Sequence, residues 1–195
     1  HLLLVGNPDG RAVVEEQIES GLAGTGGISA RMKNLNATTC PTPPSSTGTD
    51  LRRNFSFQWQ GGYSGCLNEY SGTSALSEPE SSSIQEYLDD VFSNFRGGYP
   101  FDIAEVSGLL LDIESYGDIF RYPYFYTGDD APEKTELYTL ANKLAYGLDA
   151  FPTEPTTQLH GTPEDYVYGE LGIPALAYAI GSGSEGQYFM NCWDF

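Results

Sequence analysis

The 195-residue sequence predicts an α/β fold, a mixed and mostly parallel sheet with helices on both faces. Three short runs, residues 2–5, 109–113 and 175–180, are nearly continuous in apolar side chains, as strands covered on both faces are. Segments of helical period lie between them, and helix start and stop signals bracket those segments.

Taken in chain order, residues 2–5 form the first expected strand. Residues 38–49, dense in Pro, Ser and Thr, read as a surface loop within one domain, because core-forming sequence resumes directly afterwards. Ile84, Leu88, Val91, Phe92 and Phe95 share one face of a helix, and Ser77 with Glu80 makes a capping box at its start. After the strand at 109–113, Asp130, Pro132 and Glu133 repeat the start signal. The helix that follows places Leu137, Leu140, Ala141 and Leu144 on one face and stops at Gly147. A shorter helix spans 162–171, with Pro163 in its first turn, where no N–H is needed, and Gly172 past its end.

Composition sets limits on function. Nine Lys and Arg against 27 Asp and Glu give a formal charge of −18, which repels phosphate backbones and anionic membrane surfaces, so nucleic acid is excluded as a partner. No apolar run approaches the roughly 18 residues of a membrane span, and the sequence from His1 has no signal-peptide pattern, so a soluble, processed chain or a fragment is expected. With 39% apolar and 13% aromatic residues, the acidity belongs to the surface of a folded domain. Three cysteines without CxxC spacing make neither a disulfide scaffold nor a structural zinc site; one pair and one odd thiol is the natural count. Asn36-Ala37-Thr38 and Asn54-Phe55-Ser56 are glycosylation sequons, relevant in a eukaryotic secretory pathway.

Four segments in order then resemble the zinc metallocarboxypeptidases of the carboxypeptidase A and B type. Asn7-Pro8-Asp9-Gly10-Arg11 is similar to the NPDG turn, and Asp50-Leu51-Arg52-Arg53-Asn54-Phe55 to the DxNRNF/W segment. The stretch from Gly65 to Glu80 follows PCSExYxGxxAxSEPE, and Leu111-Asp112-Ile113-Glu114-Ser115-Tyr116-Gly117 follows LDxHSYG. Residues 161–166 and 172–175 resemble the GxxDDW and GIPAxTxELG pieces. The resemblance covers residues 1–195 as a partial carboxypeptidase-like domain that lacks the N-terminal part of the family's domain. It implies a zinc ion held by two imidazoles and a carboxylate, with a fourth position open for an activated water. The family's HxxE motif, which supplies two of those ligands, has no counterpart in these 195 residues.

The same resemblance assigns the remaining positions. The third zinc ligand falls on Glu114, the general base on Ala179, the oxyanion arginine on Met32 and the mobile tyrosine on Thr157. A methyl group takes no proton from water, and a thioether offers no fixed charge. The pair that grips a substrate carboxylate falls on Arg52 and Arg53, with Tyr116 as a further substrate contact. Cys40 and Cys66 resemble a disulfide pair of the animal digestive members, a link that would stabilise by about 3 kcal/mol and imply an oxidising compartment. Cys192 is left over.

Each candidate also has a plainer reading. Arg52 and Arg53 suit structural ion pairs in an acidic protein, and Glu114 suits solvent exposure or pairing with a nearby arginine. His160 reads as a loop residue and His1 has no role. Asp89-Asp90 and Asp129-Asp130 lack EF-hand spacing and read as solvated helix ends. The aromatic run at residues 120–126 reads as local packing. The expected function is a secreted or lumenal, non-catalytic carboxypeptidase-like module, without cofactor, whose partners are other protein subunits or the missing part of its own domain. A peptide C-terminus or small carboxylate is its candidate ligand. The alternative is a portion of an active zinc carboxypeptidase that removes C-terminal amino acids from peptides, with zinc as cofactor.

Overall fold

The computed structural model describes residues 1–20, 31–36, 40, 47–96 and 106–181. They fall into two compact units, residues 1–87 and 88–195.

In the first unit, helix α1 (Pro8–Glu19) opens at the expected NPDG turn. Asn7 accepts the N–H of Gly10 at 2.9 Å, Pro8 needs no donor, and Asp9 favours the positive end of the helix dipole. The strand expected at residues 2–5 does not form: Leu2 and Leu4 are 81% and 82% exposed. A strand exists by pairing, and among the described residues positions 2–5 are paired with no strand.

The described residues between 31 and 80 contain little regular structure and are organised by buried polar side chains. Lys33 pairs with Asp50 as an isolated antiparallel bridge, and a 3-10 turn, Leu51–Arg53, follows with Asp50 as its cap. Asn54 is fully buried. Its Nδ2 donates to Ser71 O (2.7 Å), Ser74 O (3.0 Å) and Ser77 Oγ (3.1 Å), and its Oδ1 accepts Glu78 N–H (3.1 Å). Glu78 in turn accepts from Asn34 Nδ2 at 2.8 Å and Asn36 Nδ2 at 3.0 Å. The described residues of the expected surface loop, Cys40, Thr47, Gly48 and Thr49, are buried, because Thr49 N–H is drawn inward onto Asn34 Oδ1 at 2.9 Å. The other residues of that loop lie outside the described residues.

Helix α2 (Pro79–Val91) forms one residue later than a Ser77 capping box would require. The Ser77 hydroxyl donates to Glu78 and accepts from Asn54, so it serves the polar core instead of the helix end. The helix stops before Phe95, whose N–H donates to Leu171 O at 2.8 Å.

The second unit holds a four-stranded sheet. Strands β1 (Leu110–Ser115), β2 (Ile119–Arg121), β3 (Phe151–Thr153) and β4 (Ala175–Ile180) are ordered β1-β4-β2-β3. The β1–β4 and β2–β3 pairs are parallel and β2–β4 is antiparallel, so the sheet is mixed and mostly parallel. Strand β4 is the buried interior strand expected. Strand β1 is not: it stands at the end of the described sheet, with Leu111 40% and Ile113 61% exposed. Its side chains alternate, with Leu110, Asp112 and Glu114 half-buried and Leu111, Ile113 and Ser115 exposed, so two side chains of its apolar run lie on the open face.

Helix α3 (Lys134–Ala145) packs on β2 and β3 through Leu137, Ala141 and Ala145, all buried. It begins after the expected start, since Asp130 binds Lys134 Nζ at 2.7 Å instead of capping a backbone N–H. Gly147, at φ +88°, terminates it in the left-handed conformation glycine favours. Helix α4 (Pro163–Gly169) packs on β4 and β1. Thr162 Oγ1 caps it by accepting Asp165 N–H at 3.2 Å, and the Asp165 carboxylate accepts Phe125 N–H and Tyr126 N–H, each at 2.9 Å. Phe120, Tyr122 and Phe125 are buried, so the aromatic run is core.

Replacing Asn54 by alanine strands the buried Glu78 N–H and takes one donor from each of Ser71 O, Ser74 O and Ser77 Oγ, and about 1–3 kcal/mol of stability is expected to be lost. Urea denaturation checks this as a lowered midpoint.

Candidate functional site

The described residues gather the candidate positions into two clusters, one in each unit. In the first, Asp50, Arg52 and Arg53 occupy the 3-10 turn. Arg53 Nε donates to Asp50 Oδ2 at 3.1 Å, and its guanidinium lies 5.8 Å from the Tyr63 ring centroid. Lys33 Nζ, also buried, donates to Gly65 O at 2.8 Å and Leu67 O at 2.9 Å. Met32, beside it, is 51% exposed and contributes its backbone oxygen to Asn7 Nδ2 at 3.1 Å. Burial pushes the Asp50 carboxyl up to about 6, against the opposing effect of Arg53 and Arg52. Its two donors, Arg53 Nε at 3.1 Å and Arg52 N at 3.2 Å, are long and do not offset the hydration it has lost.

The disulfide Cys40–Cys66 is formed, with Cα atoms 4.9 Å apart. Of the two sequons, Asn36 is half-buried on Glu78, and the buried, fully engaged amide of Asn54 argues against a glycan there. Cys192 lies outside the described residues.

The second cluster lies at the ends of β1, β4 and β2. The register pairs Glu114 with Ala179 and Ala179 with Ile119, so the three share one face of the sheet. Arg121 sits on that face, opposite Ala177, and its Nη1 donates to Glu114 Oε1 at 2.8 Å. Ala179 is buried. Tyr116, half-buried, follows the end of β1, where Gly117 N–H donates to Gly181 O at 2.6 Å and Asp118 accepts Gly181 N–H at 2.9 Å. Thr157 is exposed in the loop after β3. His160 is in a loop, its ring 6.3 Å from that of Tyr126, and His1 Nδ1 is 2.7 Å from the Tyr87 hydroxyl.

Sequence reasoning passed over Asp50, Lys33 and Arg121. Arg121 carried a signal, a lone cation inside the otherwise apolar and aromatic run at residues 119–126. Asp50 carried another, an aspartate placed as a cap before two arginines.

A family model described as zinc carboxypeptidase matches residues 1–192. The chain belongs to the zinc carboxypeptidase family. Carboxypeptidase B of Bos taurus is 30% identical over 147 residues, covering 74% of this chain and 30% of its own length. A Saccharomyces cerevisiae protein named inactive metallocarboxypeptidase ECM14 is 30% identical over 106 residues, 54% of this chain and 22% of that protein. The crystal structure of carboxypeptidase A from Helicoverpa armigera shares the fold, with a TM-score of 0.68 at 22% identity over 97% of this chain and 44% of that one. The chain thus spans about a third of the length of the curated relatives it matches.

Zinc is the metal this family implies, and the described residues do not fit it. At Glu114, the position the resemblance assigns to a zinc ligand, stands a carboxylate already bonded to a guanidinium, and its register neighbour Ala179 has no donor atom. Among the described residues no three His, Cys, Asp or Glu side chains are grouped to hold a metal ion. No described helix is long and apolar enough to cross a membrane.

The two buried carboxylates of the first unit have opposite pH signatures. Asp50 keeps its proton in the fold beyond its ordinary value of 3.8, so its contribution to stability is full below that value and falls as pH rises through about 6. Burial works to raise Glu78, but hydrogen bonds from Asn34, Asn36 and Ser77 outweigh it and hold the carboxyl below its ordinary value of 4.5. The Glu78 contribution is therefore present above that value and lost as pH falls through the lowered one. In urea denaturation at stepped pH, Asp50→Asn is expected to flatten the decline between about pH 4 and 6, and Glu78→Gln to remove part of the loss on the acid side.

Proposed function

We propose that this chain is a non-catalytic member of the zinc carboxypeptidase family that acts as a binding or structural module in a larger assembly. The observation that carries the reading is the pairing of Glu114 with Arg121, beside Ala179 on the same face. A guanidinium on the ligand position repels a divalent cation, and nothing at position 179 takes a proton from water. The name of the yeast relative, an inactive metallocarboxypeptidase, supports the same reading.

The surface supports the assembly. Leu111 and Ile113 project from the open face of an end strand, and an exposed apolar face beside an unpaired edge is ordinarily covered. Self-pairing of β1 about Ile113 sets Asp112 opposite Glu114 of a second copy, a like-charge arrangement that favours a different chain as the cover. The disulfide fits a secreted or lumenal setting. Arg52 and Arg53 are the pair to which a peptide C-terminus or small carboxylate would bind, with Tyr116 as a second candidate contact. Asn36 is the less enclosed of the two sequons, and a glycan there would displace its amide from Glu78.

The purified chain, with zinc supplied, is expected to release no C-terminal amino acids from peptides above background. Release that depends on zinc and stops with a chelator overturns the proposal.

A second reading has its own support, because the chain spans only 30% of its bovine relative. On that reading it is a portion of an active zinc carboxypeptidase, with ligands supplied from elsewhere in a longer protein. Protein purified from its source would then have a mass well above 21.3 kDa and carry one zinc per molecule. A metal-free chain of about that mass, bound to other proteins, excludes it.

A further inference from the structure

Strand order β1-β4-β2 places a whole strand between Glu114 and Arg121. Neighbouring strands lie about 4.8 Å apart, so these two backbones are separated by roughly 9.6 Å. Yet Arg121 Nη1 lies 2.8 Å from Glu114 Oε1. The arginine stem therefore passes over β4. The register identifies what it crosses: Arg121 is opposite Ala177, Glu114 is opposite Ala179, and both alanines are on the face that carries the ion pair. Both are also buried, at 0% and 1% exposure, while the arginine and glutamate side chains are 27% and 20% exposed. This is the arrangement expected of a bridge with its outer side in solvent and its inner side laid on methyl groups.

We infer that Ala177 and Ala179 are clearance for Arg121, so that residues 114, 121, 177 and 179 form one coupled unit, a cross-strand bridge over two alanines. The alanine at position 179 is thus more than the loss of a base. A branched side chain there stands in the path of the guanidinium and leaves Glu114 half-buried without its cation. A glutamate placed there alone adds a carboxylate to a face that already carries Glu114 and Asp112, and so yields a further ion-pair partner for Arg121 in place of a group poised to activate water. The unit must be changed together to change its chemistry. This inference is read in stability and stands whether or not the chain is catalytic.

The test is a double-mutant cycle, Glu114→Gln with Arg121→Met, measured by urea denaturation in the parent protein and in Ala179→Gly and Ala179→Val backgrounds. Coupling of about three- to tenfold in the unfolding equilibrium constant is expected in the parent and with glycine, falling below about twofold with valine. Ala177→Val gives the same reading from the neighbouring position if Ala179→Val does not fold. If neither folds, nitrogen-15 NMR of the unsubstituted protein decides. There the Arg121 Nη hydrogens are expected to exchange slowly, and to exchange rapidly in Glu114→Gln. Coupling below about twofold in the parent, coupling that survives valine, or rapid exchange in the unsubstituted protein overturns the inference.

Discussion

Nine cations shared among 27 carboxylates is the constraint on which the described structure turns. A carboxylate drawn out of water needs a donor, and in this chain a basic side chain is the scarce donor. Three arginines serve carboxylates drawn wholly or partly out of water: Arg53 on Asp50, Arg121 on Glu114 and Arg96 on Glu133. Other buried carboxylates are served without cations. Asp165 takes backbone N–H groups from Phe125 and Tyr126, and Glu78 takes the amides of Asn34 and Asn36. The exposed pair Arg11–Glu15 contributes little by comparison.

This allocation bears directly on chemistry. A cation engaged with an internal carboxylate is less available to a substrate, and a carboxylate engaged with an arginine is a poor metal ligand. Arg53 and Glu114 are in those two positions respectively. Asp50 adds a complication, because its raised pKa makes the Arg53 pair dependent on pH near 6. The clusters are consequently defined as much by internal satisfaction as by what they present to a ligand.

The sequence was most readable where a local rule and the tertiary structure agreed. Residues 175–180 form the interior strand their apolar run implied, and Thr162, Pro163 and Gly172 mark the helix they bracket. It misled where pairing decides. Residues 2–5 have the composition of a strand without a described neighbour, and Leu111 and Ile113 have the composition of covered residues at a sheet's end. Ser77 has the spacing of a cap, but Asn54, 23 residues earlier, draws it into the polar core. The short strands β2 and β3 gave no periodic signal at three residues each. Arg121 was visible as a charge in an apolar run, but its partner could be named only after the strand order was known.

The groups that hold this fold are largely not those that the resemblance assigns to the family's chemistry, so the two sets answer to different physical constraints. Asn54, Thr162 and Asp165 satisfy buried backbone groups, and losing any of them leaves a donor or acceptor stranded. No described side-chain hydrogen bond ties positions 32, 157 or 179 to the backbone, so these side chains, and Glu114 with them, can be exchanged at small cost to stability if the new set is self-consistent. Met32 and Thr157 meet that condition by facing solvent. Glu114 cannot, because it is half-buried on the sheet face, and a half-buried carboxylate needs a counter-charge. Arg121 provides one from two strands away, and the smallness of the strand between them lets it arrive.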